Sequence, residues 1–509
     1  MQHSFVSKRH YGSTVTAPPC ATIAMFTILL ASSDAFGQQT IMPGNMPRLG
    51  EVDPRFQSYN VEMVEVTGGR FWKPYGARPD RGLYAERPPI DLANPRLRKL
   101  AAALGPAYMR VSGSWANATY FADSNKGTSV PPAGYKAVLT RGEWRGVVDF
   151  AAAVDARIVT SFAVSPGSRD ADGAWRPEQA RQLVAYTRTL GAHIAAAEFM
   201  NEPDLASQNA APSGYDAAAY GRDFQTFHAF MKTASPETLV VGPGSIGDAA
   251  PSGSGLKPRN LVAASAGDLD VVSYHHYGAV SRRCGGREPP AQALTDAWLS
   301  RTDEALGFYK ALRDEFAPGK PIWLTETADA ACGGNAWDAT FLDSFRYLDQ
   351  LGRLAKSGVQ VVMHNTLSGS DYGLLSEKTF SPRPNYWAAL LWHRLMGTTV
   401  LDTGVSAQSG LHLYAHCNPG RSGGVTVLVI NASEKRQALT LPLAAMRYSL
   451  HARRPQSGTV QLNGTTLSLR DNDVLPEVTG MPTVAGLITF APVTITFLAI
   501  PNAANPGCP

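Results

Sequence analysis

Charge and cysteine are both scarce in this 509-residue chain. Asp, Glu, Lys and Arg make up only 17%, and 46 basic against 42 acidic residues leave a net charge of +4. So small an excess excludes a general nucleic-acid binder. There are five cysteines, with no CxxC and no Cys/His cluster, so neither a zinc site nor any other metal or cofactor is expected. No uninterrupted apolar run of about 18 residues follows the N-terminus, so no transmembrane helix is expected. No GxGxxG follows a first strand, and no repeat or low-complexity tract appears. What is abundant is Gly (47), Pro (36) and hydrophobic residues (44%). That composition describes a large, loop-rich globular chain, long enough for two domains.

Residues 1–37 are read as an export signal. Lys8, Arg9 and His10 give a basic start, Ala21 to Ala31 an apolar stretch, and Ala35-Phe36-Gly37 small residues for cleavage near Gly37. The alternative is a plain N-terminal tail. Export to the periplasm or the medium leaves Cys284, Cys332, Cys417 and Cys508. Four cysteines allow three pairings, and proximity in sequence favours Cys284–Cys332 and Cys417–Cys508.

From residue 58 onward, strand patterns alternate with helical ones. The strand candidates are 59–66, 107–113, 157–164, 194–200, 238–244, 269–278, 321–328 and 359–365. Amphipathic stretches at 142–155, 176–191, 216–233, 293–316 and 339–357 separate most of them, and another helix starts near Asn94-Pro95. Eight such units imply a (β/α)₈ TIM barrel over 59–397, with an open doubly wound sheet as the alternative. After a last helix at 386–397 the pattern changes to short alternating runs and turns. This reads as an antiparallel β-sandwich domain over 398–509. Residues 38–58 are a candidate extra strand of that sandwich.

One stretch, AAAEFMNEPDLA (195–206), runs from small apolar residues into Asn201, Glu202 and Pro203. Turn chemistry alone would explain it. The other strand ends argue for more. Glu326 closes the seventh strand, His275-His276-Tyr277 the sixth and His364-Asn365 the eighth, while Arg110 lies on the second. In this fold, polar groups at the C-terminal rim form the active site. Glu202 and Glu326 would face each other, as retaining glycoside hydrolysis requires. Arg110 would keep Glu326 ionised, Tyr277 could hold it, and Asn201 would meet a sugar 2-hydroxyl. The two histidines read as structural or substrate-contacting rather than as metal ligands.

These motifs resemble clan A glycoside hydrolases and, more narrowly, family 79, the heparanase and β-glucuronidase family. The likeness lies in DLANPRLRKLAAALGPAYMRVSG (91–113), HHYG (275–278), WLTETADAACGG (323–334), residues 341–375 and 382–401, and three C-terminal stretches. The resemblance implies Glu202 as acid/base and Glu326 as nucleophile. It places Asn201, Tyr277 and, more loosely, Glu62 at the sugar; Arg110 and His276, read from their strands, are further substrate-binding candidates. SGSDYGLL (368–375) resembles the family's uronate-gripping loop, which points to Gly369, Ser370 and Tyr372. Cys417–Cys508 matches a disulfide of the family, and Cys284–Cys332 has no counterpart. Ser112-Gly113-Ser114-Trp115 departs from the family's Gly-Gly-Thr pattern, so the contacts of that loop stay open.

Substrate choice should lie in the rim loops 70–81, 165–176 and 278–288. They hold nine basic residues against four acids, and Lys73, Arg169, Arg282 and Arg283 are candidates for sulfate or carboxylate. The expected partner is a glucuronic-acid polysaccharide such as heparan sulfate, cleaved in an endo manner by a monomer. An exo-glucuronidase, another clan A retaining enzyme and a non-catalytic polyanion binder are the alternatives.

Overall fold

The computed structural model describes residues 39–76, 82–124, 130–247, 256–406 and 408–509. The export signal at 1–37 therefore lies outside the described residues. Eight parallel strands close a barrel in chain order: β1 (Gln57–Asn60), β2 (Ala107–Val111), β3 (Ala156–Ser161), β4 (Ile194–Glu198), β5 (Leu239–Ser245), β6 (Val271–Val280), β7 (Ile322–Ala331) and β8 (Val361–His364). Around it stand α1 (Pro95–Ala102), α2 (Arg141–Ala153), α3 (Glu178–Thr189), α4 (Ala217–Ala234), α5 (Pro258–Ser265), α6 (Arg301–Phe316), α7 (Phe341–Lys356) and α8 (Pro384–Leu395). Local sequence sets several of these starts. Asn94 accepts from the N–H groups of Arg96 and Leu97 ahead of Pro95, and Thr140 with Glu143 forms a capping box on α2.

Two expectations are corrected. Residues 59–66 are not one strand, because β1 ends at Asn60 and Met63–Thr67 is a helical turn. Glu62 and Glu65 are spaced as a capping box, with the Glu62 N–H donating to Glu65 Oε2 at 2.8 Å, and this local pairing overrides the alternation. The stretch 293–316 divides into Asp296–Leu299 and α6.

The barrel is filled from below by Tyr108, Val159, Ala196, Val241, Val271, Trp323, Val361 and Met363. Strand alternation then points Arg110, Glu198, His275 and Tyr277 inward above this layer. Glu326 breaks the simple alternation from Trp323. A register shift in the β6/β7 ladder pairs Tyr274 with Leu324 but His275 with Glu326, and such a bulge re-aims the side chain inward.

The C-terminal strands form an antiparallel sheet, covered on one face by the pair Gln437–Leu441 and Gly486–Phe490. Its edge is extended by Arg48–Glu51, paired with Thr399–Leu401. The central strand Val425–Asn431 is buried on both faces. Val425, Val427 and Val429 face the covering pair, and Leu428 and Ile430 join the core shared with the barrel. At the seam, Asp349 on α7 accepts from Tyr414 (2.6 Å) and Arg353 (2.5 Å), with His412 Nδ1 at 2.5 Å. Disulfides join Cys284 to Cys332 and Cys417 to Cys508. Among the described residues, no helix is long and apolar enough to cross a membrane.

Candidate active site

The barrel mouth is organised around one buried guanidinium. Arg110 donates to Glu198 Oε2 (2.8 Å), Glu326 Oε2 (2.8 Å) and Asn201 Oδ1 (2.7 Å). Burial pushes its pKa down, but the charges of Glu198, Glu326 and Glu62 raise it above its ordinary value, so it stays cationic. His275 Nε2 lies 3.3 Å from Arg110 Nη2, and His275 Nδ1 lies 3.1 Å from Glu202 Oε1. Burial lowers the His275 pKa, but the Glu326 charge and the hydrogen bond to Glu202 raise it above its ordinary value, and the ring's Nδ1–H donates to Glu202.

Glu326 is held from both sides. Tyr277 donates to its Oε1 at 2.5 Å and is itself anchored by the Asn365 amide at 2.9 Å. Burial raises the Glu326 pKa. The His275 and Arg110 charges and the Tyr277 hydrogen bond outweigh that and hold the carboxyl below its ordinary value. Glu202 follows β4 in the left-handed region (φ 45°, ψ 66°), which turns its carboxylate towards the mouth. Asn117 fixes this turn by exchanging 2.9 Å bonds with both the N–H and the carbonyl of Asn201. Ligand atoms of Glu202, His275 and Glu326 all lie within 4.8 Å of one another. This is the short carboxylate spacing of retaining glycosidases, about 5–5.5 Å, and not the roughly 6.5–9.5 Å of inverting ones. The same three side chains are of metal-ligand type. Both Glu326 oxygens are already engaged, however, and the guanidinium fills the place of a cation.

A model for "Glycosyl hydrolase family 79, N-terminal domain" matches residues 89–352. The chain belongs to glycoside hydrolase family 79. It is 30% identical to heparanase-like protein 1 of Arabidopsis thaliana over 68% of its own length and 65% of that protein, just under two thirds. It is 28% identical to mouse heparanase, over 90% of this chain and 92% of that one. A solved 4-O-α-L-rhamnosyl-β-D-glucuronidase from Fusarium oxysporum shares the fold, with TM-score 0.62, 14% identity, and 91% and 99% coverage. The protein is a glycoside hydrolase.

Against this family 79 frame, Glu202, Glu326, Asn201 and Tyr277 meet at one mouth. Glu62 is buried beside them. Burial first, then the Glu326 charge, push its pKa well above the carboxylate range, and its Oε2 has no hydrogen-bond partner among the described residues. It lies against Gly113 (φ 87°), where a Cβ would stand 1.6 Å from Glu62 Oε2. Tyr372 is buried near Glu62 and Glu326, and no hydrogen bond among the described residues occupies its hydroxyl.

Other expected residues are placed differently. Arg110 lies beneath the carboxylates and organises them instead of touching sugar. His276 alternates away from His275, towards Arg346 and Arg301 outside the barrel, and burial lowers its pKa to about 4. The Gly369 N–H donates to Thr366 Oγ1 (2.6 Å) within the loop, and the Ser370 hydroxyl donates to the Gly333 carbonyl of a neighbouring loop (2.9 Å), so both brace the loop. Arg169 is buried against Asp223 at 2.7 Å, and Arg283 against Asp371 at 2.7 Å. These charges are spent on the scaffold. Lys73 contributes its carbonyl to Arg283, and Arg282 is exposed. Arg78, Asp80 and Arg81 lie outside the described residues.

Sequence reasoning left out Glu198 and Asn117, and it noted His275 and Asn365 at strand ends without counting them among the site residues. The inward parity of Arg110 and Tyr277 on their strands could have identified Glu198 and His275, since each faces the same interior. It also left out a 340 Å³ cleft beside Asn201, lined by Arg70, Tyr84, Ser114, Trp115, Lys136 and Asn209. Ser114 Oγ stands 3.4 Å from Asn201 Nδ2, so the cleft opens directly from the mouth. Arg70 and Lys136 are exposed there and form no ion pair among the described residues.

Proposed function

We propose that this enzyme is an endo-acting, retaining β-glucuronidase whose substrate is a glucuronic-acid glycan of the heparan sulfate type. The observation that carries the reading is the pair Glu202 and Glu326 within 4.8 Å, with only Glu326 clamped by Arg110 and Tyr277. Glu326, ionised and oriented, attacks the anomeric carbon. Glu202 protonates the departing oxygen, then takes a proton from water as the glycosyl-enzyme is hydrolysed. Asn201 gives its carbonyl to Arg110, which leaves its amide N–H₂ towards the cleft for the 2-hydroxyl. The loop carrying Tyr372 takes the uronate carboxylate.

The name of the mouse relative supports a heparan-type chain, and the cleft offers aromatic faces and two cations to a further anionic sugar. The disulfides favour an oxidising compartment, in keeping with export after cleavage near Gly37. The test is a time course on heparan sulfate sized by gel filtration, with Glu326→Gln as control. Early collapse of chain length, absent from the variant, is expected. Slow release of monosaccharide from full-length chains would mean exo action. Intact chains that merely bind would remove the hydrolytic reading for this substrate.

A further inference from the structure

We propose that the Cys284–Cys332 disulfide is a positioning element for the loop that takes the substrate's carboxylate. The inference rests on the uronate reading of residues 368–375 given above. Strands β6 and β7 stay paired as far as Val280 and Ala331, and then their chains separate into two rim loops. The disulfide joins those loops immediately past the last pair, with the two Cα atoms 6.5 Å apart.

The residue next to each cysteine reaches the same third loop. Arg283, beside Cys284, donates to Asp371 Oδ2 at 2.7 Å and also to the Lys73 carbonyl, and its guanidinium lies 4.0 Å from the centre of the Tyr75 ring. The Tyr75 N–H donates to the same Asp371 oxygen at 3.0 Å. Gly333, beside Cys332, accepts from the Ser370 hydroxyl at 2.9 Å. Ser370 and Asp371 immediately precede Tyr372. The two braces that shape the approach to Tyr372 are therefore joined to each other through the disulfide.

The backbone near Cys332 shows why a cross-link matters here. Cys332, Gly333 and Gly334 form a run at φ 64°, 80° and 82°. A Cβ at Gly333 would stand 2.5 Å from Trp72 Cβ and 2.7 Å from Ser370 Oγ, so only glycine passes under them. Cys332 is not glycine, yet it holds the same left-handed conformation, which an L-residue disfavours. Its covalent bond to the neighbouring loop keeps it there. Without the bond, residues 332–334 can relax, and the Gly333 carbonyl and Arg283 lose their fixed positions against Ser370 and Asp371.

A lost scaffold contact of this kind acts on substrate placement. The readout is the ratio of kcat/KM for 4-nitrophenyl β-D-glucuronide to that for 4-nitrophenyl β-D-glucoside, which differ only in the carboxylate. The paired variant Cys284→Ser with Cys332→Ser is expected to lower this ratio roughly tenfold, chiefly through KM for the glucuronide. Arg283→Met is expected to lower it in the disulfide-bonded protein but to add little once the disulfide is gone. Should the serine variant fail to fold, mild reduction of the wild-type protein, followed by thiol release and then reoxidation, gives the same comparison reversibly. A wild-type preference for glucuronide that survives intact without the disulfide, or fully additive effects with Arg283→Met, would overturn the inference alone. A wild-type enzyme indifferent to the carboxylate would remove the uronate reading and the inference with it.

Discussion

Tyr277 and Arg110 show how much of the site rests on single hydrogen bonds. The Tyr277 hydroxyl lowers the Glu326 pKa, so its removal raises it. Tyr277→Phe should move the acid limb of the kcat/KM profile to higher pH, with the alkaline limb in place. An unmoved acid limb would assign that limb to another group. Among the described residues, Arg110 is the only cation that pairs with both Glu198 and Glu326. Arg110→Met leaves two buried carboxylates without their partner, which costs about 3–5 kcal/mol. Urea unfolding should show that loss, and a variant as stable as wild type would mean the carboxylates had found other relief. The residue types were legible in sequence because Asn-Glu-Pro follows one apolar strand and Thr-Glu-Thr interrupts another. The role of Arg110 as a buried hub was not, since it depends on Glu198 arriving at the same height from β4.

At the scale of elements, the seam between barrel and C-terminal sheet is closely fitted. Gly352 lies in α7 under Tyr414, where a Cβ would stand 2.3 Å from the ring. Ala is favoured over Gly in a helix by about 1 kcal/mol. Gly352→Ala should nonetheless destabilise the protein by about 1–3 kcal/mol, because the ring must move and with it the Tyr414–Asp349 bond. A gain in melting temperature would show that the seam yields easily. Strand positions were readable from alternation and turns. The helical turn after β1 was not, because its apolar spacing also fits a strand and the Glu62–Glu65 box decided it. The inward turn of Glu326 was hidden too, since a bulge is a property of two strands and neither strand encodes it alone.

For the whole molecule, buried acids set the pH response. Burial raises Glu65 from 4.5 to about 7 and Asp204 from 3.8 to about 8. Between the unfolded and folded values the native state binds the extra proton, so stability falls as pH rises through that window. For Glu65 the window is roughly 4.5 to 7, worth about 3 kcal/mol at the level of magnitude. Glu326, Asp343 and Asp349 are held below their ordinary values and act oppositely, losing stability as pH falls. The urea midpoint should therefore be highest in weakly acidic buffer. Glu65→Gln should flatten its decline between pH 5 and 7, and an unchanged slope would clear Glu65 of that role.

The sequence by itself determined the eight alternating units, the C-terminal strands and the paired glutamates of the fourth and seventh units. Local periodicity and turn chemistry act over a few residues and are written in order along the chain. Only the tertiary structure decided which charges are available. Arg169 and Arg283 look like free cations in two rim loops, yet each is buried against an aspartate far away in sequence. Arg70 and Lys136, from separate segments, instead meet at the cleft beside Asn201. Ion pairing depends on distances of a few ångströms between remote residues, and those distances exist only once the barrel has closed.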